Sequence, residues 1–71
     1  MDKQTIQASN FTFQNRTTRT GRTYHIAIHR TRPKWYRVKK TRKGELFITE
    51  NNTNYHLWTL GHPMTQADFI N

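Results

Sequence analysis

The sequence predicts an all-β fold, either a small antiparallel meander or a five-stranded SH3-like or OB-like barrel, closed by a short C-terminal helix. Three observations predict it. Twelve threonines stand among 71 residues beside Ile, Val, Tyr, Phe and Trp, a composition that favours strands. Residues 22–30 alternate apolar and polar with period two. Turn-forming residues then recur at a spacing of about ten residues, as they do in a meander. The length allows one small basic domain over residues 1–71 and no second one.

The first element is a strand region from Thr5 to Arg19, broken or double, because Ile6 and Ala8 keep one phase while Phe11 and Phe13 keep the other. A bulge or turn near Ser9-Asn10 accounts for that change of phase. Thr20-Gly21 closes a hairpin into the clearest strand, Arg22 to Arg30. There Tyr24, Ile26 and Ile28 share one face, and Thr23, His25, Ala27 and His29 the other. Pro33 has no N–H to give a ladder, so Thr31 to Lys34 is a turn. The next strand runs from Trp35 to about Thr41, with Tyr36 and Val38 inward.

Gly44, which accepts positive φ at little cost, marks a hairpin turn over Arg42 to Glu45. Glu45 to Glu50 follows as a strand with Leu46 and Ile48 inward. After a turn over Asn51 to Asn54, Tyr55 to Leu60 is the last strand, and its two overlapping apolar phases leave the register open. Thr65 and Asp68 have the spacing of an N-cap and its carboxylate partner, so a short helix starts there and lays Phe69 and Ile70 over one end of the sheet. The sequence leaves open whether that helix continues past Asn71.

Apolar residues make up only 32% of the chain, mean hydropathy is −1.04 and there is no cysteine. A domain of this size buries about 60% of the surface its unfolded chain exposes, so its stability is marginal and a homodimer is a plausible way to add to it. Nine aromatic residues offset the small core by burying large areas each. No basic-then-apolar run of the secretory kind is present, and no apolar stretch approaches membrane-span length. The expectation is an intracellular protein, cytoplasmic or nucleoid-associated, with no membrane partner.

Charge carries the functional signal. Eleven of the twelve Lys and Arg residues lie between Arg16 and Lys43, a stretch without Asp or Glu, so the net charge of +8 belongs to one segment. Such a segment attracts polyanions, and DNA or RNA is the expected partner. If Tyr36, Val38, Leu46 and Ile48 face the core, then Trp35, Arg37, Lys39 and Phe47 share the opposite face. Cations would hold phosphates there while bases stack on the rings. Lys40, Arg42 and Lys43 stand at the hairpin tip, and Arg30, Arg32 and Lys34 extend the patch across the preceding turn. A basic hairpin of this kind can also enter a duplex groove.

The expected function is therefore non-catalytic nucleic-acid binding. Its rival is a small interaction module or inhibitor, of the phage or mobile-element accessory type, that docks on an acidic protein surface through the Trp35 and Phe47 face. In the bland reading of the same residues, Trp35 and Phe47 belong to a second core layer and the charges only solubilise the edges. A metal-independent ribonuclease is a third reading, but no spacing pairs a base with an orienting carboxylate. No cofactor is implied, and no metal site: His25 and His29 are four residues apart on a strand, roughly 13 Å, too far to share one ion. Both are expected at solvent-facing or edge positions beside phosphate. The segment from Tyr36 onward, two short strands and then Leu60-Gly61 and a capped helix with Ala67, faintly resembles the sheet-plus-helix layout of AP2-type and integrase N-terminal DNA-binding domains. That likeness rests on a Leu-Gly and a cap, and it implies no residue role.

Overall fold

The computed structural model describes residues 4–69, and they form an all-β protein of two sheets. The strands are β1 (Gln4–Gln7), β2 (Phe11–Thr17), β3 (Thr23–His29), β4 (Trp35–Arg37), β5 (Lys39–Lys40), β6 (Leu46–Glu50), β7 (Thr53–Thr59) and β8 (His62–Pro63). One sheet has the order β1-β7-β6-β5, with β8 also on β7; the other has the order β2-β3-β4. Successive strands within each sheet pair antiparallel, as in a meander. The exception is β1, which runs parallel to β7 with Gln4 opposite Tyr55 and Gln7 opposite Trp58.

The phase change at Ser9-Asn10 is a 3-10 turn, Ala8–Asn10, that carries the chain from one sheet to the other. The hairpin that follows is closed as expected: the Gly21 N–H donates to the Thr18 carbonyl at 3.0 Å, and Gly21 has a φ of 86°. From there β2 and β3 pair without interruption from Thr17 opposite Thr23 to Phe11 opposite His29.

Two expected elements take a different form in the middle of the chain. The strand expected from Trp35 to Thr41 is split at Val38: β4 pairs with β3, while β5 pairs with β6 in the other sheet. Val38 itself still donates to the His25 carbonyl at 3.0 Å, so the chain leaves the first sheet only after that bond. The turn expected over Asn51 to Asn54 is confined to Asn51 and Asn52, with φ of 51° and 64°, the positive pair a type I′ hairpin requires. Thr53 and Asn54 already pair with Glu50 and Thr49.

Toward the end of the chain, Leu60 is a turn residue with φ 50°, not part of a strand, and it is 91% exposed. Strand β8 follows, so β7 is not the last one. In place of the expected helix the described chain closes with a 3-10 turn, Gln66–Phe69. The expected partnership at its start exists: the Thr65 N–H donates to the Asp68 carboxylate at 2.8 Å. A cap satisfies donors at the start of either kind of turn, so the cap forms here without the helix. Ile70 and the Phe69 side chain lie outside the described residues.

Both sheets contribute to one core of Ala8, Phe11, Ala27, Leu46, Ile48, Leu57 and Met64, with Ile6, Phe13, Tyr36, Val38 and Tyr55 packed against it. Tyr36, Val38, Leu46 and Ile48 are thus inward, as the alternation requires. In β3 the core-facing residue is Ala27, fully buried and paired across the sheet with Phe13 on one side and Tyr36 on the other. A small side chain between two rings lets both reach the opposite sheet. Tyr24, Ile26 and Ile28 consequently lie on the outer face.

Candidate nucleic-acid interface

Because Ala27 points inward, the outer face of the three-stranded sheet carries Gln14 and Arg16 from β2, Tyr24, Ile26 and Ile28 from β3, and Trp35 and Arg37 from β4. Ile26 is buried although it is no part of the central core, so its neighbours on this face cover it. Trp35, on an edge strand, is 64% exposed. An indole left that open presents a ring face and an N–H to whatever meets this face.

The loop before Trp35 is held by hydrogen bonds to His29. The His29 N–H donates to the Lys34 carbonyl at 2.9 Å, and the Lys34 N–H to the Arg32 carbonyl at 2.8 Å. The His29 ring nitrogen Nδ1 accepts the backbone N–H groups of Thr31 and Arg32 at 3.1 and 3.2 Å. His29 also packs edge-on against Phe11, with centroids 5.4 Å apart. It is therefore half-buried and braces the loop. His25 is also half-buried, its Nδ1 2.5 Å from Asn15 Oδ1 and its Nε2 2.8 Å from Gln66 Nε2. It ties the three-stranded sheet to the C-terminal turn.

The hydrogen-bonded loop and the outer face line an open cleft of about 380 Å³. Its apolar lining is Tyr24, Ile26, Ile28, Pro33 and Trp35, and its charged lining is Arg16, Arg32 and Lys34, with no acid. Arg37 lies with its guanidinium 4.4 Å from the centroid of the Tyr24 ring, a cation–π contact that also keeps a positive charge at this face.

The ten residues expected to form a basic, aromatic sheet face with its hairpin and preceding turn fall into separate groups. Arg32, Lys34, Trp35 and Arg37 gather at the three-stranded sheet, beside or lining the cleft. Lys39, Lys40, Arg42, Lys43 and Phe47 belong to the β5–β6 hairpin of the other sheet, with Lys39 opposite Phe47 and Phe47 packed 5.7 Å from His56. Arg30 donates from Nε to the Ser9 carbonyl at 2.8 Å and braces the 3-10 turn. The sheet change at Val38 is what separates Trp35 and Arg37 from Lys39 and Phe47. Lys40, Arg42 and Lys43 stand in or beside the hairpin turn as expected, and Lys40 and Arg42 are exposed.

Lys34 is partly neutralised: its Nζ lies 3.1 Å from Glu50 Oε2, which also accepts the Tyr36 hydroxyl at 2.8 Å. The Tyr36 bond, then the Lys34 bond, hold the Glu50 carboxyl below its ordinary range. Burial, then the bond to Glu50, push the Tyr36 phenol up. Arg16, Tyr24, Ile26, Ile28 and Pro33 are the cleft residues that sequence reasoning passed over. Their register was legible, because alternation puts Tyr24 and Ile28 on one face, but nothing marked that face as the outer one.

Among the described residues, no group of three or more His, Cys, Asp or Glu is placed to hold a metal ion, and no helix is long and apolar enough to cross a membrane. No family model, curated protein or solved structure matches this chain.

Proposed function

We propose that this protein binds nucleic acid without catalysing a reaction on it, using the outer face of the three-stranded sheet as the primary contact and the β5–β6 hairpin as a second, phosphate-only contact. The observation that carries the reading is the acid-free cleft in which Arg16, Arg32 and Lys34 surround an exposed Trp35. Cations that hold phosphates beside an open ring that stacks on bases are the parts a nucleic-acid-binding sheet needs. In this reading the two sheets act as one small barrel-like body inside the cell, with the Val38 crossover fixing the angle between the two contacts.

A titration of the intrinsic Trp emission with single-stranded DNA, duplex DNA and RNA at two salt concentrations tests it. Binding that weakens with salt, at a log–log slope of about −0.7 per phosphate contacted on single strands or about −0.9 on duplex, supports the reading. A flat salt dependence, or silence with all three polymers, overturns it.

The second reading is an interaction module for an acidic protein surface, favoured by the exposed Trp35 beside Arg residues, the side chains that dominate protein interfaces. Capture of a partner that survives complete nuclease digestion would support this alternative over the first.

A further inference from the structure

From the cleft on the outer face of the three-stranded sheet we infer a pocket for a single unstacked nucleobase, with the flanking phosphates of its strand held by Arg16 and Arg32. This inference rests on the nucleic-acid reading and narrows it to single-stranded or locally opened polymer. The size of the cleft is the first reason. At about 380 Å³ it lies at the lower end of the small-molecule range and has room for one planar group. Its apolar lining offers one ring with free surface: Trp35 is 64% exposed, whereas Tyr24 is already covered on one side by Arg37.

The cations and the rings are also arranged for different parts of one ligand. Arg16 stands on β2 opposite Tyr24, while Arg32 belongs to the loop that leads into Trp35, so guanidinium groups come from both flanking segments. Lys34 is engaged by Glu50 and contributes less charge. A duplex presents its phosphates outward and its bases stacked edge-on, so it could use the cations but not the apolar lining. A base swung out of a single strand uses both.

The loop is pre-formed as well. His29 Nδ1 accepts from Thr31 and Arg32, and the Lys34–Arg32 and His29–Lys34 backbone bonds hold Pro33 in place. A rigid rim loses little conformational entropy when it closes on a ligand. His29 thereby acts as a positioning residue for the pocket although it does not line it.

The test compares a ten-nucleotide thymidine strand with a ten-unit abasic strand of the same length and charge, read by anisotropy of a 5′ fluorophore, on the whole protein. The expected result is that the thymidine strand binds more tightly by roughly 5- to 150-fold, the range a single base–aromatic stack contributes. Trp35→Ala removes that difference while leaving the affinity for the abasic strand within about twofold, and Trp35→Phe restores most of it. Circular dichroism verifies that the variants fold, and an exposed Trp35 makes folding the expected outcome. Equal affinity of the native protein for both strands would overturn the base pocket and leave phosphate binding standing. A preference that survives in Trp35→Ala also overturns the assignment to this cleft. Failure to bind either strand would overturn the pocket, and silence with duplex DNA and RNA as well would overturn the nucleic-acid reading.

Discussion

The Tyr36 hydroxyl donates a 2.8 Å hydrogen bond to the carboxylate of Glu50, and this bond joins the two sheets, since Tyr36 lies on β4 and Glu50 at the end of β6. Lys34 reaches the same carboxylate oxygen at 3.1 Å. One acid therefore anchors the sheet that carries the cleft to the sheet that carries the basic hairpin. It also sets the polarity of the face, because the acid pairs with Lys34 and attracts Arg32 at longer range.

That triad gives the stability curve two limbs. Glu50 is held below its ordinary value of 4.5, so its contribution is complete above that pH and is lost as pH falls through the lowered folded value. Tyr36 is raised above its ordinary 10.0, so its contribution is complete below that pH and is lost as pH rises through the raised value. Urea midpoints measured from acid to alkaline pH should fall at both ends. Tyr36→Phe should flatten both limbs, the acid one only partly because Lys34 remains. An unchanged acid limb in that variant would show that Glu50 draws nothing from the phenol.

Two leucines three residues apart should differ sharply. Leu57 is fully buried at the centre of β7, whereas Leu60 is 91% exposed in the β7–β8 turn. Leu57→Ala should cost about 2–5 kcal/mol, a large part of the few kcal/mol available to so small a domain, and should leave the chain largely unfolded at physiological temperature. Leu60→Ala should change stability by no more than about 0.5 kcal/mol. Thermal melts by circular dichroism check both.

The Asn51-Asn52 turn depends on two positive φ values that branched side chains resist. Asn52→Ile should lower stability by about 1–2 kcal/mol, the cost of a left-handed conformation in an ordinary L-residue, while Asn52→Gly should be neutral or stabilising. The comparison of urea midpoints decides it. Equal values would mean that the turn can relax to another type at no cost.

Charge removal separates the two binding regions. Arg16→Gln combined with Arg32→Gln should reduce both affinity and the salt slope, the slope by roughly 0.7–0.9 for each phosphate no longer neutralised. It should also reduce the preference for a strand with bases, since the cleft then has no hold on the flanking phosphates. Replacement of Lys40, Arg42 and Lys43 by Gln should lower affinity and salt slope alike for strands with and without bases. If the triple variant binds as the native protein does, the hairpin takes no part in binding. Filter binding across a salt series distinguishes these outcomes.

The strands and turns are legible in the sequence where a local rule decides them. Gly21, Gly44 and the Asn51-Asn52 pair accept positive φ, and Pro33 fixes φ and removes a donor, so their turns follow from single residues. Leu46 and Ile48 are placed inward by alternation alone, and both are buried. The C-terminal turn shows the limit of such rules: spacing predicts the bond from the Thr65 N–H to Asp68, but a cap begins a 3-10 turn as readily as a helix.

What alternation could not decide was which face of β3 is inside, because Ile26 and Ile28 are the more hydrophobic pair and Ala27 points to the core. The choice falls to Ala27 because Phe13 and Tyr36 flank it, a condition set by pairing partners from two other strands. Nor could it show the chain changing sheets at Val38, or β1 lying parallel to β7, since both depend on residues distant in sequence. Strand composition, turn positions and the segment that holds the charge are properties of neighbouring residues, and each can be read along the chain. How that charge is divided is a property of packing between sheets. Close packing of the two aromatic rings around Ala27 turned Tyr24, Ile26 and Ile28 outward, beside Trp35, and placed Arg16 and Arg32 around them.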